Sequence, residues 1–237
     1  MNAHVPGTVS TGTVTSGSPD NAFCARLDRV SKLFGSFAAL RQVSVDFEPG
    51  RCYVVVGENG AGKSTLLRIL AGLLLPSHGT VRVFGGFDPH EARARIGYMS
   101  HAAMLYDELT AQENLRYFAS LYPGRNCLAP AEALRLVGLD PGLNRLLGQY
   151  SQGMRQRTSL ARVLLPSPDL LLLDEPFSNM DVDSARQMVE LLAGFRRNSR
   201  TIVLTTHQRE LAAPIADYVL TLHAGRVQSL EAGSPAL

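Results

Sequence analysis

The segment that most constrains this chain is GENGAGKST, residues 57–65, which follows the β-branched run CYVVV and precedes LLRILAG. Gly57, Gly62, Lys63 and Ser64 satisfy G-x-x-x-x-G-K-[ST], and Asn59, Gly60 and Thr65 complete the loop as nucleotide-binding positions. CYVVV suits a buried strand, and LLRILAG has helical periodicity and closes at Gly72. A strand that feeds a helix through such a loop makes a phosphate cradle. Glycines let successive backbone N–H groups turn toward one phosphate chain. The helix that follows brings its positive dipole end to the same point. Lys63 supplies a point charge for the β- and γ-phosphates, and the Ser64 hydroxyl is a ligand for Mg2+.

The second constraint is an acidic pair behind an apolar strand. Residues 170–173 are four leucines that deliver Asp174 and Glu175 to the strand's C-terminal end. Ligands of open α/β sheets bind there. Adjacent strand residues point to opposite faces, so the two carboxylates take different roles unless the strand ends between them. Asp174 can hold Mg2+, and Glu175 can then orient and polarise an attacking water; the alternative is a solvated strand end with two acids.

Composition excludes several alternatives. The chain has 237 residues, 45% hydrophobic and 19% charged, which is globular usage for one large domain or two small ones. A net charge of +2 gives no footprint for general nucleic-acid binding. The three cysteines, Cys24, Cys52 and Cys127, form no C-x-x-C pair. Neither a disulfide nor a zinc framework is expected, and a reducing cytosol fits. No apolar run approaches the roughly 18 residues of a membrane span. Direct membrane insertion is therefore excluded, while attachment through a partner is not. Residues 1–22, rich in Ser, Thr and Gly, lack the basic and apolar regions of a signal peptide and read as a disordered tail.

Strands are expected at 25–30, 43–47, 52–56, 80–84, 96–99, 170–173 and 201–206, with a closing hairpin of 218–223 and 227–229 across Ala224-Gly225. Helical patterns run from about 107 to 165 and again over 183–195. Strand-helix alternation interrupted by a helical block implies an α/β core carrying a helical insertion.

Five further segments, in order, resemble those of the ATP-binding-cassette (ABC) transporter ATPases, and the resemblance covers about residues 25–230. Phe34 in KLFG stands where that family has an aromatic that stacks on adenine. GYMSHAAMLYDELTAQENL stands where it has its Q-loop, the edge that faces the membrane subunit. YSQGMRQR resembles the L-S-G-G-Q signature, SNMD the D-loop, and His207 in LTTH the switch histidine, 32 residues past Glu175. The resemblance implies an α/β, P-loop NTPase (RecA-like) core with a mixed sheet, an antiparallel β edge and an inserted α-helical subdomain. One domain would span 23–237, with the core about 23–100 and 166–237 and the helical subdomain about 101–165. It also implies ATP and Mg2+ as cofactors and ATP hydrolysis coupled to transport through a multi-span membrane permease. Two cassettes, identical or paralogous, would sandwich two ATP molecules head to tail. Ser151 and Gly153 would bind the γ-phosphate in trans, Asp181 would communicate across the dimer, and His207 would hold Glu175 and the water in line. The subunit would sit peripherally on the cytoplasmic face of the cell (inner) membrane. The segment 101–115 would grip a coupling helix of the permease.

Two departures from the family pattern matter. His101 replaces the usual Q-loop glutamine. An imidazole nitrogen ligates metals, but Mg2+ prefers oxygen. His101 is therefore either a metal-site residue or a loop residue without a metal role. In the signature, Tyr150, Gln152 and Met154 replace Leu, Gly and Gln, while the phosphate-binding Ser151 and Gly153 remain. The histidine segment resembles the haem-exporter branch, the ATPases of cytochrome c maturation. The Y-S-x-G-M signature equally resembles exporters of drugs or lipid-linked glycans. A soluble ABC ATPase is the remaining class, against which stand the single cassette and the lack of sustained heptads.

Overall fold

Two apolar runs set the centre of the fold. In the computed structural model, which describes residues 23–197 and 200–234, they are strands β3 (Cys52–Val56) and β6 (Leu170–Asp174). Each is buried on both sides, which is why both read as unbroken hydrophobic runs. Leu171 and Leu173 enter one apolar cluster with Cys52 and Val54. Leu170 and Leu172 enter the other with Tyr53 and Val55. The period of two thus divides the core into two layers.

The central sheet has six strands in the order β5-β6-β7-β3-β8-β9. Here β5 is Ile96–Met99, β7 Thr201–Thr205, β8 Tyr218–His223 and β9 Arg226–Ala232. All pairs are parallel except the closing β8–β9 hairpin. A separate antiparallel sheet, order β2-β1-β4, is built from β1 (Ala25–Phe34), β2 (Phe37–Phe47) and β4 (His78–Val83). The mixed sheet and antiparallel edge expected from the sequence are both present. The first two strands run further than 25–30 and 43–47, because register shifts at Val30 and Lys32 break the alternation without ending the pairing.

Helix α1 (Lys63–Leu70) packs beneath the small sheet in the second layer, burying Leu66, Leu67, Ile69 and Leu70. Gly72, at φ +68, follows its C-terminus as the turn expected there. The helical block is α2 (Ala111–Ser120), α3 (Pro130–Leu136) and α4 (Gln152–Leu164). Thr110 and Glu113 close a capping box at the start of α2, so TAQE sets that boundary in the sequence. Leu115, Leu134 and Leu160 share the first cluster with Leu171 and Leu204 of the central sheet, so block and sheet are joined by continuous packing. Two further α-helices among the described residues are α5 (Val182–Arg197) and the short α6 (Arg209–Ala212). The expected tail, residues 1–22, lies outside the described residues.

Candidate functional site

The phosphate loop lies between β3 and α1, and its shape depends on close backbone approach. Gly62 caps α1 at φ +102, and a Cβ there would stand 2.5 Å from the Ala39 carbonyl oxygen. Gly57 has φ +151, and a Cβ there would meet the Leu222 carbonyl oxygen at 2.3 Å. No side chain larger than hydrogen fits either position. The loop leans on the last hairpin as well: Gly225 donates its N–H to Ala61 O at 3.2 Å. The Lys63 ammonium curls into the loop and donates to Gly57 O (2.7 Å) and Glu58 O (3.1 Å).

Asp174 ends β6 on the layer that faces α1, as Leu170 and Leu172 do. Its carboxylate, 3% exposed, accepts the Ser64 hydroxyl at 3.0 Å and the Thr205 hydroxyl at 2.8 Å on the same oxygen. The strand stops there. Glu175 turns out at φ +54, so the two carboxylates escape strict alternation. The His207 N–H donates to Glu175 Oε2 at 3.3 Å. The His207 ring Nε2 lies 3.2 Å from Oε1 without hydrogen-bond alignment, and that buried oxygen has no hydrogen-bond partner.

Lys63, Ser64, Asp174, Glu175 and His207 meet in a cavity of about 460 Å³, which Asn59, Gly60, Gly62 and Thr65 also line; Gly57 lies outside the lining. Phe34 forms its outer wall, half exposed. Phe37 stands beside it, paired across the Gly35-Ser36 turn of the β1–β2 hairpin. Phe37 belongs to no motif in the sequence, and its spacing from Phe34 across a tight turn is the signal for it. Thr205 bonds to Asp174 from β7, and Ser178, the first residue of SNMD, has its hydroxyl 3.4 Å from His101 Nδ1. His101 does line the cavity.

Ser64 and Asp174 offer a hydroxyl and a carboxylate, hard oxygen donors of the kind that hold Mg2+ together with substrate phosphates. Their juxtaposition fits that ion. Among the described residues, no group of three or more His, Cys, Asp and Glu side chains is arranged to hold a metal.

Ser151, Gly153 and Asp181 are not in the cavity lining. Ser151 caps α4 and accepts the Met154 N–H at 3.2 Å. Gly153 packs closely on Ser184, to which a Cβ at that position would come within 2.8 Å. Asp181 accepts the Ser184 N–H (2.8 Å) and hydroxyl (2.7 Å) at the start of α5. Those two bonds hold its carboxyl below the usual carboxylate range. In the segment 101–115, Asn114 is fully buried and ties α2 to Tyr106 through two bonds of 2.8 and 2.9 Å. Met104 and Tyr106 remain exposed above it.

A triphosphate-sized cavity with these groups at the end of a parallel sheet places the chain among the P-loop ATPases. Within that class it belongs to the ABC transporter family, whose pattern matches residues 40–178. It is 40% identical over 198 residues to the ABC transporter ATP-binding protein NatA of Bacillus subtilis, covering 80% of each chain. It is 37% identical over 178 residues to the cytochrome c biogenesis ATP-binding export protein CcmA of Xanthomonas oryzae, covering 75% of this chain and 83% of the relative. The dimeric post-hydrolysis structure of the ATP-binding cassette MJ0796 with ADP and Pi superimposes with a TM-score of 0.77 at 26% identity, over 88% of this chain and 98% of that one. The chain is an ATPase subunit of this family, with ATP as nucleotide and Mg2+ as its usual partner ion. Among the described residues no helix is long and apolar enough to cross a membrane.

Proposed function

We propose that this chain is the ATP-hydrolysing subunit of an ABC exporter, working as a head-to-tail dimer on the cytoplasmic face of the membrane beneath a multi-span permease. The observation that carries the reading is the convergence of Lys63, Ser64, Asp174, Glu175 and His207, from separate parts of the chain, on one cavity. The nucleotide base would stack on Phe34, with Phe37 beside it. Asn59, Gly60, Gly62 and Thr65 would follow the phosphates, and Gly57 would let the loop close under them. Lys63 would balance the charge of the β- and γ-phosphates. Ser64 and Asp174 would hold Mg2+, which when bound stabilises the charge on the transferring phosphate. The unpartnered Glu175 Oε1 accepts from the attacking water. His207 positions that carboxylate. Ser151 and the Gly153 N–H of a second copy would close over the γ-phosphate, and Asp181 would link the two sites. The γ-phosphate then favours the closed dimer, and its hydrolysis releases it. His101, on the cavity wall, would act at the metal and water side of the site.

Replacing Glu175 with Gln should lower turnover by about 10²–10⁴-fold while ATP-dependent dimers persist. Phosphate release and size-exclusion chromatography measure both, and unchanged hydrolysis would remove Glu175 from the role of base.

Haem is the proposed cargo. The reading is supported by the segment around His101 and by the likeness to CcmA. The Y-S-x-G-M signature favours a second reading, an exporter of drugs or lipid-linked glycans. Purification from native membranes in mild detergent separates them. Haem absorbance and haem-handling proteins in the complex support the first reading, and a permease without them supports the second. Exposed Met104 and Tyr106 mark the surface where that permease would dock.

A further inference from the structure

Strand β7 is apolar through Ile202, Val203 and Leu204 and then ends in a threonine that is fully buried. A buried hydroxyl in such a strand is costly unless its bonding is satisfied. The Thr205 hydroxyl satisfies both of its functions inside the site. It donates to Asp174 Oδ1 at 2.8 Å and accepts the Glu175 N–H at 3.0 Å. The parallel register sets this up, because Asp174 and Thr205 are directly paired across β6 and β7. The residue whose N–H it holds is the one at φ +54, a left-handed conformation that a non-glycine residue keeps only under local constraint. Thr205 does not line the cavity.

We infer that Thr205 is a positioning residue that aims both carboxylates with one hydroxyl. It orients the Asp174 carboxylate for the divalent ion and fixes the backbone turn that directs Glu175 at water. The inference rests on the roles proposed above for Asp174 and Glu175. Ser64 shares the bond to Asp174 Oδ1 but is itself a ligand group, so the orienting role falls to Thr205.

Thr205→Val removes the hydroxyl at constant shape, and Thr205→Ser keeps it. Binding of a fluorescent ATP analogue is measured at equilibrium with and without Mg2+, beside steady-state turnover. In the valine variant, binding without Mg2+ should be unchanged. The Mg2+ concentration for half-maximal effect should rise about 10-fold or more, the usual cost of losing such an outer partner, and turnover should fall. Serine should restore most of both. A valine variant with unaltered Mg2+ dependence and turnover overturns the inference. Asp174→Asn and Glu175→Gln run alongside. If they too change nothing, the assignment of the carboxylates fails, and the inference with it. If they act and valine does not, only the role of Thr205 falls. Should the valine variant not fold, amide hydrogen exchange at Glu175 in the unaltered protein decides. Slow exchange supports the bond to Thr205, and exchange at the unprotected rate overturns it.

Discussion

Helices α1 and α4 both begin at places proposed to meet phosphate, yet they begin differently. The N-terminus of α1 has no side-chain cap, and its cap position is a left-handed glycine wedged against Ala39. The N-terminus of α4 is closed by its own Ser151, which bonds to the Met154 N–H. The first helix leaves its N–H groups to a ligand and is held in shape by surrounding backbone. The second satisfies itself: Ser151 is exposed but bonded to its own helix, and Gly153 is buried against Ser184. Under the proposed function, the half of the site at α1 is built into the core of one chain, and the half at α4 would come from a second copy, with Ser151 as its exposed group.

Three changes break or sharpen this contrast. The largest effect is expected from Gly62→Ala. It adds a Cβ 2.5 Å from a carbonyl oxygen at φ +102, so the loop must move. Nucleotide binding should be lost, and the strain of about 1–3 kcal/mol should lower the thermal midpoint. Equilibrium titration with ATP and thermal unfolding measure the two effects. Ser151→Ala should do less to the isolated chain. Loss of the cap costs about 1 kcal/mol, and ATP should bind the monomer as before, whereas ATP-dependent dimerisation in the Glu175→Gln background should weaken. Light scattering with and without ATP reads that difference. The smallest effect concerns acid. Asp181 is held below its usual range by its bonds to Ser184, and Glu113 by its bonds to Thr110. Both carboxyls have depressed values in the folded state. Their contribution is therefore present above the unfolded value of about 4 and is lost as pH falls through the lower folded value. Asp181→Asn should flatten part of the decline in thermal midpoint below about pH 4. An unchanged slope would show that the start of α5 does not depend on that carboxylate.

How much was legible follows from the same contrast. CYVVV and LLLLD announce themselves because a parallel strand covered on both faces has no polar alternation to obscure it. The phosphate loop is legible because its geometry leaves few residue choices. By contrast, the alternation stops short of the ends of β1 and β2, since Arg29 and Gln42 sit at positive φ where bulges reset it. The short helix α6 lacks the length to show a period. Thr205 is hidden in the sequence for another reason: its partner Asp174 is 31 residues away and meets it only across a parallel register. Thr205 in particular looks like one more β-branched residue until the strand order places it beside Asp174.

The strand order has a further consequence, for the timing of biosynthesis. β3 carries the phosphate loop and is made early, but its two sheet neighbours are β7 and β8. The loop also rests on Leu222 and Gly225. A chain emerging from the ribosome N-terminus first holds GENGAGKST for most of its synthesis without the strands that give the segment its shape. ATP therefore offers no early foothold for folding. Nascent chains stalled before about residue 200 should leave ATP in solution, and those released past the closing hairpin should retain it.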